Sequence, residues 1–219
     1  ANTAIFSVVN TVLLRPLPFP HPERLVRVTS DYTRLNLTDG GLSGLELADY
    51  REHADVFDEI SGVYPINANI TWVDQPERVE ALLVDVNYFS LLGADVQLGR
   101  IFQPDDYQPG IAEIAVISDG LWRRRYGADP NVIGKKFRLD NDLYEVVGVA
   151  PPGFRHPGGT LQNEVEVWAP SGWTASPFNN PPRSPRFLQG AIARLKPGIS
   201  IAAAQSRLEA MGNDFKTQF

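Results

Sequence analysis

Three histidines, His21, His53 and His156, are the only imidazoles in the 219-residue chain, and no two stand four residues apart. A zinc site begins with two such rings on one helical turn or with paired thiolates, and the chain has no cysteine. That absence also removes a thiolate nucleophile and a disulfide framework. Asp105 and Asp106 are adjacent carboxylates that could divide acid and base roles in glycoside hydrolysis, but beside Pro104 they read first as turn formers. Gly134-Lys135-Lys136 comes nearest to a phosphate-cradling loop, which needs G-x-x-x-x-G-K-[ST]. Asp129 and Lys136 break that pattern at both ends. Ser43, in Gly41-Leu42-Ser43-Gly44, lacks the G-x-S-x-G spacing of a nucleophile elbow. Arg123-Arg124-Arg125 lies between Trp122 and Tyr126, a combination that can grip and stack a nucleic acid. With a net charge of −6 and a pI near 5.1, the run reads instead as the wet face of a short helix. Trp72, Trp168 and Trp173 are candidates for a sugar or partner surface. No catalytic, cofactor-binding or metal-ligating constellation assembles, so the residues direct attention to architecture.

Hydrophobic residues make up 43% and charged residues 21%, the usage of an ordered globular chain long enough to bury a core without staples. Residues 25–29 alternate as a strand, and Ser43-Gly44-Leu45-Glu46 is a capping box. That box opens a helix over 44–57, with Leu47, Tyr50, Ala54 and Phe57 on its buried face. Residues 67–73 and 78–86 read as a hairpin, and Asn87 to Leu92 as a short helix stopped by Gly93. Residues 114–117 form a strand, Ser118 caps a helix over 120–126, and 136–139 with 143–149 make a second hairpin. The stretch 150–185 is crowded with prolines and strand-like only at 164–168. A strand at 187–195 and a Ser200-capped helix then close the chain, the helix presenting Ile201, Ala204, Leu208, Met211 and Phe215 at core spacing. The two ends thus share an order of elements, and strands 25–29 and 187–195 are expected in one sheet, because a lone strand–helix pair cannot bury its stripe. The class is α+β, with the middle inserted into a domain made by both ends.

Residues 1–14 are apolar nearly all round a helix, which suits a protein core or a bilayer. Fourteen such residues are too few to span a membrane alone, and no basic start with a small-residue cleavage site marks a signal peptide. Either a buried N-terminal helix or the tail of a membrane helix is compatible with this pattern. Pro16, Pro18, Pro20 and Pro22 follow, and alternating prolines predict a stiff extended stem.

Several strings resemble the MacB-like periplasmic core domain of bacterial ABC-transporter permeases. Asn87-Tyr88-Phe89 with Leu92-Gly93, then Gly99-Arg100-Ile101-Phe102, is similar to that family's first block. Ala115 to Ser118, Leu121-Trp122, Tyr126-Gly127 and Asp129-Pro130 through Gly134 resemble the next. Tyr144 to Val149, containing Gly148, follows with Pro152-Gly153-Phe154, and Arg194 to Gly198 precedes the last helix in the expected order. The N-terminal strand of letters looks most like the orphan, FtsX-like permeases of the group.

The resemblance implies two small α/β subdomains. One is discontinuous and porter-like, made of 25–92 with 186–219, and the other is the insert 93–185. Residues 1–14 would be the end of a first transmembrane helix and 15–24 the stem. Asn87, Tyr88, Phe89, Gly93, Gly99, Arg100, Phe102, Trp122, Gly127, Pro130, Gly134 and Gly148 take structural roles on this view. No catalytic residue, cofactor or metal is implied. The implied setting is the periplasmic face of a bacterial inner membrane, with the rest of the permease, a second permease copy and a periplasmic adaptor as partners, and no nucleic acid. The alternative from another class is a soluble carbohydrate- or peptide-binding module using the Trp- and Pro-rich loop.

Overall fold

The computed structural model describes residues 4–9, 19–32, 37–71, 76–107, 113–157, 164–171, 188 and 190–218. The chain forms two compact units, one from Ala1–Val63 with Phe178–Phe219 and the other from Tyr64–Pro177. The class is α+β, as expected. The division differs from the expected boundaries after residues 92 and 185. The strand Phe57–Ile70 passes from the first unit to the second after Val63, and Glu77–Val84, hydrogen-bonded to Val165–Pro170, belongs to the second.

In the first unit, β1 (Ala4–Val9), β2 (Leu25–Tyr32) and β3 (Leu37–Gly40) precede helix α1 (Gly44–His53), and β4 begins at Phe57. Strand β11 (Gly190–Leu195) lies antiparallel to β2, with Ala191 opposite Val28 and Arg194 opposite Leu25. The two chain ends therefore do share a sheet, as their apolar stripes require. The other edge of β11 pairs with β4, Ala193 opposite Ile60. The capping box forms as its spacing demands: the Glu46 N–H donates to Ser43 Oγ at 3.2 Å and the Ser43 N–H to Glu46 Oε2 at 2.7 Å. Helix α1 ends at His53 rather than at residue 57, and Phe57 instead starts β4. The closing helix α4 (Ile201–Gln218) is capped by Ser200 Oγ, which accepts from the Ala203 N–H, and it buries Ala204, Leu208 and Met211. Arg24 fastens the start of β2: its Nε donates to the Leu195 carbonyl at 2.7 Å, and it pairs with Asp58.

Residues 4–9 are a strand, not the helix expected over 1–14. β1 pairs antiparallel with β2 along its length, Ala4 opposite Tyr32 and Val9 opposite Arg27. Its composition allows this, since Ile5, Val8 and Val9 are β-branched and restricted in a helix. The stem is not extended throughout either. Pro22–Arg24 form one 3-10 turn, with proline at the start where a missing N–H costs nothing. Pro16 and Pro18 lie outside the described residues. Among the described residues no helix is long and apolar enough to cross a membrane.

The second unit carries the rest of β4, then β5 (Glu77–Val84), α2 (Tyr88–Leu92), β6 (Leu98–Gly99), β7 (Ile114–Ile117) and α3 (Asp119–Tyr126). β8 (Lys136–Leu139), β9 (Asp142–Val149) and β10 (Val165–Pro170) complete it. Its strand order is β5-β10-β7-β9-β6, with β5 parallel to β10 and β7 parallel to β9. β8 folds back on β9 through Asp140 at φ 53°, where aspartate tolerates the left-handed region. Its core gathers Ala68, Val79, Ile117, Leu121, Val132, Phe137, Val146 and Val167.

Leu208 is fully buried, so Leu208→Ala is expected to cost about 2–5 kcal/mol, the general scale for a core cavity. Urea unfolding measures that loss. Hydrogen exchange should report it at β2 and β11 as well as within α4, whereas loss confined to α4 would mean that the helix docks independently.

Candidate functional site

The densest set of signature residues surrounds α2. This helix has only five residues, too short to stand on its own hydrogen bonds, and it is held by what it buries. Tyr88, Phe89, Leu91 and Leu92 are all inaccessible. Gly93 ends the helix at φ 64°, its N–H donating to the Ser90 carbonyl, while the Ala94 N–H reaches Phe89 O at 2.9 Å. A residue without Cβ suits that left-handed cap. Asn87 precedes the helix and offers its carbonyl to the Leu91 N–H at 2.8 Å, with no capping bond from its side chain to the helix.

Phe89 sits at the centre of a ring cluster. Its centroid lies 5.4 Å from Tyr88, 5.5 Å from Phe154, 5.7 Å from Phe102 and 6.0 Å from Trp168. Three of these pairs meet edge to face and the Phe154 pair stacks, and both geometries add to the burial of each ring. Trp168 is fully buried in β10, so it cannot form the partner surface considered for it. Trp72 and Trp173 lie outside the described residues. The Tyr88 hydroxyl is 2.7 Å from Nδ1 of His156, and the two rings stack 5.9 Å apart. Burial pushes the Tyr88 phenol well above its ordinary range. Tyr88 therefore stays a neutral hydroxyl, suited to a fixed hydrogen bond and not to base chemistry. Sequence reading placed His156 only in a proline-rich loop. A contact between residues 68 positions apart leaves no local spacing to find it by.

Beside the cluster, Gly99 in β6 faces Gly148 in β9. A Cβ on Gly148 would come within 2.5 Å of the Arg100 carbonyl, and one on Gly99 would strike the Val147 carbonyl oxygen. Gly99 also has φ +79°. These glycines permit the Arg100 N–H to bond Val147 O at 2.9 Å. Arg100 then grips Asp106 with both arms of its guanidinium, at 2.6 and 2.9 Å, while Asp106 also accepts the Gln103 N–H. Burial acts to raise the Asp106 carboxyl, but Arg100 and that N–H outweigh it and hold it below its ordinary value. Asp106 is thus a loop fastener committed on both oxygens, and Asp105 occupies the same exposed turn. Among the described residues the partners of the Asp106 carboxylate are Arg100 and the Gln103 N–H, not a second carboxylate.

The arginine run is not simply wet. Arg123 pairs with Asp119 at 2.8 Å, Arg124 bridges Glu77 and Glu166, and Arg125 pairs with Glu77 at 2.5 Å. Trp122 is half-buried against the core, and its Nε1 donates to the Asp129 carbonyl at 2.8 Å. Gly127 closes α3 at φ 60°, Pro130 opens a single 3-10 turn, and Gly134 at φ 83° gives its N–H to Val146 O. Lys135, the lysine of the failed phosphate loop, is held 2.6 Å from Asp129. Lys135, with the Asn131 backbone and side chain, pushes that carboxyl down to about 2. His21 and His53 stand beside Glu23 and Glu52 on other elements. Among the described residues no three metal-ligating side chains gather. Among the described residues the arrangement positions backbone and rings.

A family model described as the MacB-like periplasmic core domain matches residues 1–211. The chain is 28% identical to a macrolide export ATP-binding/permease protein, MacB, of Burkholderia thailandensis, over 61% of this chain and 21% of the relative's length. It therefore spans about a fifth of that curated relative. In fold it is similar to the extracellular domain of the ABC-type transporter YknZ from Gram-positive bacteria, with TM-score 0.62 at 15% identity, covering 81% of this chain and 85% of that one. The periplasmic region of MacB from Actinobacillus actinomycetemcomitans gives TM-score 0.61 at 11% identity, over 81% and 76% of the two chains. A permease domain from Porphyromonas gingivalis gives 0.64 at 19% identity, over 90% and 86%.

Two substitutions separate a demanding glycine from an ordinary cap. Gly99→Ala adds a collision to a left-handed backbone and should cost about 3 kcal/mol or more. Gly127→Ala meets nothing within 4 Å and should cost only about 1 kcal/mol. Denaturant midpoints of the two variants check that order. Asp106→Asn should cost about 1 kcal/mol at neutral pH, discounted because the Arg100 side chain is 42% exposed. The folded value of Asp106 is depressed, so its contribution is complete above the ordinary carboxylate range and fades as pH falls through the folded value. The gap between wild type and Asp106→Asn should accordingly narrow in acid, and a constant gap from neutral pH to strong acid would contradict the ion-pair role.

Proposed function

The chain belongs to the family of MacB-like periplasmic core domains, and from that premise we propose that it is the moving extracytoplasmic part of an ABC permease that does no chemistry itself. It is a MacB-like domain of an ABC-type transporter permease. On this reading it rests at the periplasmic face of a bacterial inner membrane, where ATP hydrolysis on a separate domain or chain in the cytoplasm drives its displacement. In the membrane-embedded permease residues 1–14 would end a transmembrane helix, in place of the strand Ala4–Val9 seen here, and 15–24 would form the stem that carries force into β2. The rest of the permease is the obligatory partner, and a second permease copy and a periplasmic adaptor are the further contacts. The work done is export of a substrate or handling of an envelope lipoprotein.

The observation that carries this reading is the pairing of β2 with β11. Strands from near the two ends of the chain are hydrogen-bonded neighbours, so displacement of either flank acts on one sheet. Such a ladder resists sliding, because a shift by one residue would turn every buried side chain outward. The rival reading, a carbohydrate- or peptide-binding module, loses Trp168 to the core, and no described feature favours it.

The lack of cysteine gives a clean test of placement. In the full-length gene product, Gln103→Cys introduces a single reactive thiol at an exposed position of this domain. Provided the remaining permease is cysteine-free, a maleimide that crosses the outer membrane but not the inner one should label it in intact cells. Labelling only after the inner membrane is broken would overturn the extracytoplasmic assignment. The reading also requires that the gene encode membrane-spanning segments on both flanks.

A further inference from the structure

The edge of β2 accepts a segment whose sequence suits two conformations. β1 pairs with β2 from Arg27 to Tyr32, yet its residues belong to a stretch that is apolar round a whole helix. The backbone of Ala4–Val9 can serve a membrane helix or this ladder, not both. β2 does not depend on β1 for its place. Its opposite edge is held by β11 over Leu25 to Val28 and by β3 at Ser30 and Tyr32, and Val26 and Val28 are buried. Prolines 16, 18, 20 and 22 separate the two strands in sequence and cannot carry helix from one to the other.

We propose that the β2 edge is a strand-acceptor site for an extended apolar segment of a partner protein, running antiparallel, and that Ala4–Val9 is its occupant in cis. Strand addition gains affinity from main-chain hydrogen bonds and selectivity from alternate side chains. The cis occupant defines the chemistry accepted, a β-branched apolar hexapeptide with one small polar residue. Ser30 refines it. This residue is fully buried, and its hydroxyl has no hydrogen-bond partner among the described residues. Its neighbour on β3 is Gly40, which has no side chain, and its register partner on β1 is Phe6, which has no polar group. A residue at that register position on an incoming strand shares the face of Ser30. The partner segment therefore carries a hydroxyl or amide there. The acceptor edge stands apart from the permease reading. Only the event that empties it, the lodging of residues 1–14 in a membrane, rests on that reading.

The test uses the full 219-residue chain with Ser7→Pro, which removes a ladder donor from the middle of β1. The probe is a labelled peptide of residues 1–12, followed by fluorescence anisotropy, beside the same peptide carrying Phe6→Thr. The Ser7→Pro chain should bind the first peptide at least about tenfold more tightly than the unaltered chain does, with new exchange protection at Arg27 to Tyr32. The threonine peptide should bind severalfold more tightly again. A folded variant that binds neither peptide, or an unaltered chain that binds equally well, would overturn the proposal. So would loss of β11 exchange protection in the variant, since the acceptor edge must stand without its cis strand. Dimers of the unaltered chain that exchange Ala4–Val9, with no peptide binding to the monomer, would make the occupant a second copy and overturn the partner assignment. Equal affinity of the two peptides would remove the role given to Ser30. Whether membrane segments flank the domain is a separate observation and leaves each of these results unchanged.

Discussion

Two backbones meet between Gly99 and Gly148 more closely than any side chain permits, and the signature loop takes its course from that contact. Gln97 and Arg100 each donate a backbone N–H to β9 at 2.9 Å, so β6 exists although it is only two residues long. The chain leaves β6 with Arg100 held against β9, which brings its guanidinium over the Asp106 carboxylate. The same exit delivers Phe102 to the ring of Phe89. A methyl group at either glycine would separate the strands, and the fork and the ring contact would be displaced together. Steric exclusion therefore acts first here, and the electrostatic and aromatic contacts follow from it.

Charge in the second unit is organised locally. Three consecutive arginines on α3 would make a basic patch if they were unopposed, but each has a carboxylate at ion-pair distance. Arg124 and Arg125 both reach Glu77 at the start of β5, and Arg124 reaches Glu166 on β10 as well, so the helix is tied to two neighbouring strands. Exposed pairs of this kind contribute little singly, about 0.2–1 kcal/mol, and their value here is registry of helix upon sheet. Glu77 shows the balance: burial acts to raise its carboxyl, yet the two guanidiniums leave it below the ordinary value. Positive charge so neutralised has little left with which to hold a phosphate backbone.

Elements with local causes were legible in the sequence. The Ser43–Glu46 box, the glycine stops at 93 and 127, and the 136–149 hairpin each depend on a few neighbouring residues, and each stands where its spacing put it. Positions that answer to distant partners were not legible. Residues 4–9 have apolarity without a decisive period, and the open edge of β2 draws them into a strand. Phe57 fits the last turn of α1 by spacing, but β11 recruits it to β4, where Leu195 lies opposite. Trp168 was counted among surface candidates because tryptophan is amphipathic, and only the tertiary ring cluster decides that it is buried. The candidate site was visible as a list of signature residues, while its organising contact, Tyr88 with His156, joins parts of the chain with no shared local pattern.

The described contacts hold each unit rigid, and they do so by different means. In the first, β2 and β11 lock the two ends of the chain in register, and Arg24 bonds the Leu195 carbonyl while pairing with Asp58, so the start of one strand is tied to the end of the next. In the second, a five-residue helix is immobilised by aromatic rings and a buried hydroxyl, not by its own hydrogen bonds. Neither device performs chemistry, and both oppose small displacements. Tyr88 is held neutral, Asp106 is occupied on both oxygens and Lys135 is held by Asp129, so these three are committed to the fold. Of the side chains whose types first suggested chemistry, Ser43, Asp106, the three arginines of α3, Lys135 and Trp168 serve in this fold as cap, fasteners and core.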